Sequence, residues 1–142
     1  MSNLERAIAI AATAHAGQVD KGGAPYILHP LRVMLLLETT DERIAGVLHD
    51  VVEDCGWSID DLRAEGFSPA VLRAIDSVTR RDGEGYDAFV ARSAADPIGR
   101  RVKVADLQDN SDLSRISAPT DRDRARVARY ERALRFLRDS EG

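Results

Sequence analysis

Apolar positions recur at intervals of three and four residues through most of the chain, and no segment alternates with the period of two that marks a half-buried strand. The pattern predicts an all-α protein. Leu4, Ile8, Ala11 and Ala12 follow Ser2 and Glu5, a capping-box spacing, so a first helix is expected over residues 4–16, stopped by Gly17. The segment GQVDKGGAPYIL, with three Gly and one Pro, reads as a loop long enough to carry function. Pro30 suits the first turn of a second helix ending near Glu38, and Asp41 can cap a third that runs to about Cys55, before Gly56. Ser58 with Asp61 marks a short fourth. Ser68-Pro69 opens a fifth, with Val71, Leu72, Ile75 and Val78 at helical spacing, and Tyr86, Phe89 and Val90 mark a sixth. Asp96-Pro97 opens a seventh, and the last, over residues 121–137, aligns Val127, Tyr130, Leu134 and Leu137 in one stripe. These elements predict a compact bundle of roughly eight helices.

Composition narrows the class. A chain of 142 residues without a tandem repeat fits one domain over residues 1–142, and 44% apolar with 31% charged residues suits a packed core. No apolar run approaches the ~18 residues of a membrane span, and MSNLERAIAI carries an acid where a secretory signal would be basic, so a cytoplasmic location is expected. Cys55 is the only cysteine, which rules out an intramolecular disulfide or a thiolate metal cluster. Any metal would use His and carboxylates. The net charge of −4, from eighteen Arg and two Lys against 24 acids, argues against nucleic acid as a partner. The Arg-rich stretch 122–138 is interleaved with Asp123 and Glu131 and reads first as a solvated helix face, with a contact surface as the alternative.

Chemistry concentrates on the expected helix from Ile44 to Asp54. At about 100° per residue, with His49 at zero, Glu53 falls near 40°, Asp50 near 100° and Asp54 near 140°, while the apolar residues occupy about 160° to 320°. Three acids and a His without a balancing base suggest a bound cation, because clustered carboxylates repel one another. His49 and Asp50 suit a divalent ion such as Mn²⁺, Fe²⁺ or Zn²⁺. Two ligands alone would bind weakly, and His29 with Asp106 could complete a set that leaves water positions open. Spacing alone does not separate His29 from His15. Lys103, Asp106 and Asn110 share one helical face, and Glu53 or Asp54 could take a proton from metal-bound water or hand one to a leaving oxygen, so metal-assisted hydrolysis is the candidate reaction. Cys55 has no basic neighbour in sequence and reads as a packing residue.

The stretches AHAGQVDKGGAPYILHPLRV, GVLHDVVEDC and VKVADLQDN resemble the HD-domain metal-dependent phosphohydrolases. Within them they look like the alarmone-hydrolase branch, meaning the hydrolase domain of RelA/SpoT proteins and its stand-alone small relatives. The resemblance runs from the first helix to the end of the seventh. It implies an all-α HD-domain fold and one Mn²⁺, or another divalent ion such as Fe²⁺, Zn²⁺ or Mg²⁺, held by His29, His49, Asp50 and Asp106. His15 is thereby demoted. Glu53 and Asp54 are implied to position and activate water, and Lys21 and Asn110 to contact substrate. The implied reaction removes the 3′-pyrophosphate of guanosine tetra- or pentaphosphate (ppGpp, pppGpp), giving GDP or GTP and pyrophosphate, the chemistry of the stringent response. The partner is then a small phosphorylated nucleotide, with no nucleic acid and no membrane, and the chain is compatible with an oligomer. Lys21, Arg80, Arg81 and Lys103 would offset the substrate's charge.

Three positions depart from that branch. Asp20 stands where Arg is usual, Leu107 where Lys or Arg is usual, and Asp109 where an aromatic residue or His is usual, so an altered substrate wall is expected. Asp20 and Leu107 favour an alternative, an HD phosphohydrolase acting on a nucleoside monophosphate, the 2′-phosphate of NADPH or an adenine alarmone. A non-catalytic nucleotide-sensing or partner-binding module is the third reading, and the intact ligand positions argue against it. At this length the chain is expected to degrade the alarmone and not to make it.

Overall fold

Short polar side chains begin most of the helices. Residues 3–139 are described by the computed structural model. Asn3 caps α1 (Leu4–Ala14) by accepting from the Arg6 N–H at 2.9 Å, whereas Ser2, the expected cap, lies outside the described residues. Gly17, at φ +83°, turns the chain out of this segment. The loop passes through a turn at Tyr26 and Ile27 into α2 (Leu28–Leu35), two residues earlier than expected, so His29 sits in a first helical turn. Pro30 is tolerated there because first-turn N–H groups have no helical partner.

Thr39, not Asp41, caps α3 (Thr40–Leu48), in a reciprocal capping box with Glu42. The Glu42 carboxylate accepts from the N–H groups of Glu38 (3.1 Å) and Thr39 (3.3 Å) and pairs with Arg101 at 2.9 Å. Burial pushes this carboxyl up, but those donors outweigh it and hold it below its ordinary value. A depressed pKa stabilises the fold above the unfolded pKa, and that contribution is lost as pH falls through the folded value. Thr39→Ala should therefore cost about 1 kcal/mol in urea unfolding at pH 7. Glu42→Gln should also destabilise at pH 7, by an amount that shrinks as wild-type Glu42 protonates in acid. A deficit independent of pH would contradict the role given to its charge.

The remaining elements are α4 (Val51–Asp54), α5 (Ile59–Ala64), α6 (Pro69–Ser77), α7 (Tyr86–Ala94), α8 (Pro97–Asn110), a 3₁₀ turn at Leu113–Arg115 and α9 (Asp121–Asp139). Ser58 with Asp61, Ser68-Pro69 and Asp96-Pro97 start α5, α6 and α8 as expected. Among the described residues there is no strand, only an isolated bridge between Val19 and Pro25. All eight expected helices form, the third in two pieces.

Helix α3 is the hub, packed on α1, α2, α6 and α8, with Ile44, Ala45, Val47 and Leu48 buried. Gly46 permits the close approach of α2 and the residues just after it, since a Cβ there would lie 3.4 Å from Val33 Cγ1 and 2.6 Å from Leu37 Cδ1. A second apolar cluster joins α7, α8 and α9 through Val90, Leu107, Leu134 and Leu137. Leu107 is 1% exposed in that cluster, so the expectation that it alters a substrate wall is corrected: its face of α8 is core. Among the described residues no helix is long and apolar enough to cross a membrane.

Candidate metal centre

The expected helix from Ile44 to Asp54 breaks at His49-Asp50. Both the backbone N–H and the ring Nδ1–H of His49 use the Gly46 carbonyl, at 3.4 and 2.6 Å, and Asp50 takes φ −101°, ψ −7° before α4 restarts. The break brings together two side chains that an ideal helix would splay by about 100°. His49 Nε2 lies 3.2 Å from Asp50 Oδ2. From α8, Asp106 Oδ1 approaches the same nitrogen at 3.3 Å and His29 Nε2 at 3.0 Å, and His29 Nε2 lies 3.8 Å from Asp50 Oδ2. Donors at right angles around an ion with bonds of about 2.1 Å stand about 3 Å apart, so these separations fit one divalent cation.

Proton positions support the fit. A carbonyl only accepts, so the short contact to Gly46 fixes the proton on His49 Nδ1 and leaves the Nε2 lone pair facing two carboxylates. His29 has the same arrangement, with Nδ1 2.7 Å from Asp109 Oδ2. Lone pairs facing carboxylate oxygens at these distances need a positive centre between them. Burial disfavours the charged form of His29, yet its bonds to Asp106 and Asp109 outweigh this and push its pKa up to about 9; His49 rises in the same way beside Asp50 and Asp106. A divalent ion replaces such protons when it binds. The buried Asp106 carboxyl is nonetheless held well below the usual range by Lys103 and the two rings.

Further side chains serve this cluster, among them Tyr26 and Arg32, to which the sequence assigned no role. The Tyr26 hydroxyl donates to Asp50 Oδ2, and burial beside that carboxylate pushes the phenol up, keeping it a donor. Asn110 Nδ2 donates to Asp106 Oδ1 at 3.0 Å, and Lys103 Nζ contacts Asp106 Oδ2 at 3.3 Å while resting over the Phe89 ring. Asp109 accepts from Arg32 Nε at 2.7 Å as well as from His29, and the histidine and Arg32 hold its carboxyl down at about 2 against the effect of burial. The sequence signal for Asp109 was its departure from the alarmone-hydrolase pattern, which pointed to the substrate wall and not to a bond with His29.

Glu53 and Asp54 stand at the exposed rim, each with a carboxylate oxygen within 4.8 Å of the other's and of Asp50's. Burial, with Asp50 and Glu53 nearby, pushes the Asp54 carboxyl up. Glu53 Oε1 accepts from the Arg80 N–H at 2.7 Å, and Arg81 pairs with Asp76. His15 lies beside the centre and outside it: Nδ1 contacts Gln18 Oε1 at 2.8 Å, Cys55 Sγ lies 3.4 Å away, and the ring packs on Tyr26. Burial pushes the Cys55 thiol up, which suits a packing role.

A cavity of about 440 Å³ opens on the His29 side, walled by Lys21, Tyr26, Arg32, Asn110, Arg115 and Arg126. Arg126 comes from the Arg-rich helix, read from the sequence first as a solvated face and second as a contact surface. Asp20 also borders the cavity, and its Oδ1 accepts from the N–H groups of Gly22 and Ala24, so it shapes the loop that carries Lys21.

A family model described as HD domain matches residues 7–99. A Streptomyces coelicolor protein named GTP pyrophosphokinase is 37% identical over 123 residues, 78% of this chain and 14% of the relative. An Aquifex aeolicus protein named guanosine-3′,5′-bis(diphosphate) 3′-pyrophosphohydrolase is 31% identical over 119 residues, 75% of this chain and 17% of the relative. The chain thus spans about a sixth of the length of the curated relatives it matches. A solved structure reported as a metazoan ortholog of SpoT that hydrolyses ppGpp superposes with a TM-score of 0.79 at 22% identity, covering 96% of this chain and 85% of that one. That likeness bears on the fold.

Proposed function

Because the chain belongs to the HD-domain family, matched over residues 7–99, we propose that it is a Mn²⁺-dependent phosphohydrolase that removes the 3′-pyrophosphate of guanosine tetra- or pentaphosphate. The observation that carries this reading is the convergence of His29, His49, Asp50 and Asp106, with Nδ1 of both rings on an oxygen acceptor and Nε2 of both turned to the carboxylates. An HD domain implies a divalent ion, and these four side chains would hold it. When bound, the ion supplies positive charge at the reacting phosphoryl group and lowers the pKa of water.

The residues do the rest. A water oxygen bonds to phosphorus as the P–O bond to the ribose 3′-oxygen breaks, and the products are GDP or GTP and pyrophosphate. Glu53 at the rim is the carboxylate available to take the water's proton, and Asp54, whose carboxyl is pushed up, is available to hand one to the leaving 3′-oxygen. Lys21 and Asn110 would contact the nucleotide in the cavity. The choice of alarmone is supported by the name of the Aquifex aeolicus relative. One observation favours a second reading, another phosphorylated nucleotide: the Asp20 carboxylate borders the cavity and adds a negative charge to its wall.

The test is a nucleotide panel with the Mn²⁺-loaded protein and a chelator-treated control. Chelation should abolish turnover and Mn²⁺ should restore it, with guanosine tetraphosphate the preferred substrate. Turnover that survives chelation would overturn the metal-dependent reading.

A further inference from the structure

The metal-facing nitrogen of His29 is only half of that ring's bonding. Its Nδ1 lies 2.7 Å from Asp109 Oδ2, across 80 positions of sequence, and both side chains are buried. Asp109 is in turn gripped by two arginines from different elements. Arg32, one helical turn beyond His29 on α2, donates through Nε to Oδ1 at 2.7 Å and through Nη2 to Oδ2 at 3.1 Å. Arg115, from the 3₁₀ turn, lies 3.5 Å from Oδ2 and donates to the Asp109 carbonyl at 2.7 Å.

From this geometry we propose that Asp109, fixed by Arg32 and Arg115, is the positioning residue that sets the tautomer and the aim of His29 at the metal centre. The inference rests on the reading of His29 as a metal ligand. A carboxylate acceptor on Nδ1 keeps the proton there, leaves Nε2 free to ligate and makes the ring more basic toward a cation. His49 obtains the same tautomer from the Gly46 carbonyl, an acceptor that helix α3 holds rigidly. His29 has a mobile side chain as its acceptor, and a carboxylate with several rotamers aims a ring only when it is itself held. The bidentate grip of Arg32 supplies that restraint and offsets the charge of a buried carboxylate. Arg115 adds a second tether and ties α8 to the turn that follows it, where it also pairs with Asp112 at 3.0 Å.

The test reads metal affinity, not turnover. Mn²⁺ binding is measured by titration calorimetry on wild type, Asp109→Asn, Asp109→Ala, Arg32→Gln with Arg115→Gln, and Asp112→Asn, with each variant's fold checked by circular dichroism. Asp109→Asn keeps an oxygen for the Nδ1 proton and loses the charge, so its Kd should rise about 10-fold; Asp109→Ala should approach 100-fold. The double arginine variant should weaken binding in the same direction. Asp112→Asn, which touches Arg115 but not His29, should stay within about twofold of wild type on the same reasoning. The absorption spectrum of the Co²⁺-loaded protein should shift in the Asp109 variants and not in Asp112→Asn. If Asp109→Ala does not fold, Asp109→Asn and the double arginine variant decide. Folded Asp109 variants with wild-type Mn²⁺ affinity and an unchanged Co²⁺ spectrum would overturn the inference and leave the metal site standing. A wild-type protein that binds no Mn²⁺ would overturn both.

Discussion

Asp106→Asn should abolish both retention of a divalent ion and turnover. The carboxylate lies within hydrogen-bond distance of both candidate ring ligands, 3.0 Å from His29 Nε2 and 3.3 Å from His49 Nε2, whereas Asp50 is 3.2 Å from His49 and 3.8 Å from His29. An amide in its place keeps the shape and removes the charge that the cation needs. The loss should exceed the 10- to 100-fold typical of removing an outer-shell partner, because a direct ligand is lost. Stability falls too, because Lys103 is buried against Asp106 and would lose its counter-charge. Breaking a buried pair by removing one partner costs about 3–5 kcal/mol, and the low end applies because the amide oxygen still accepts a hydrogen bond. The double variant Asp106→Asn with Lys103→Met should recover much of that stability and none of the metal. Elemental analysis after gel filtration and urea unfolding separate the two effects. A folded Asp106→Asn protein with wild-type metal content would remove Asp106 from the ligand set.

Glu53→Gln should do the reverse, keeping the ion and losing the chemistry. Glu53 contacts neither ring of the cluster; its carboxylate stands at the rim, within 4.8 Å of those of Asp50 and Asp54, and one oxygen already accepts the Arg80 N–H. That bond fixes the side chain with its charge beside the centre. If Glu53 takes the proton from the attacking water, turnover should fall by about 10²-fold or more, with KM and metal content close to wild type. Asp54→Asn provides the comparison. Its carboxyl is pushed up by burial and by Asp50 and Glu53, which favours it as the group that passes a proton to the leaving oxygen, so its loss should be greatest with poor leaving groups. A Glu53→Gln protein with near-normal kcat would end the proton-acceptor role.

The helices were legible because their signals are local. Ser58 with Asp61, Ser68-Pro69 and Asp96-Pro97 each satisfy N–H groups within three residues, and the apolar stripe of α6 repeats at helical spacing. Thr39 was missed in favour of Asp41 because both are acceptable caps, and only the reciprocal bond from Glu42 separates them. The break at His49-Asp50 has no turn residue to announce it; it arises from a ring that competes with the backbone for one carbonyl. Tyr26 and Asp109 act across 24 and 80 positions, a reach that periodicity does not carry. Leu107 and Asp109 both stood out as departures from the alarmone-hydrolase pattern. Their opposite faces on α8, one in the core and one on the metal centre, emerge only once α7 and α9 are packed on that helix.

The most direct test of the account is the product that the Mn²⁺-loaded protein forms from guanosine tetraphosphate, separated by ion-exchange chromatography. GDP and pyrophosphate should form in equal amounts, both absent from the Asp106→Asn control. Orthophosphate with no pyrophosphate, or no reaction with the alarmone alongside turnover of another nucleotide, would contradict the assignment of substrate.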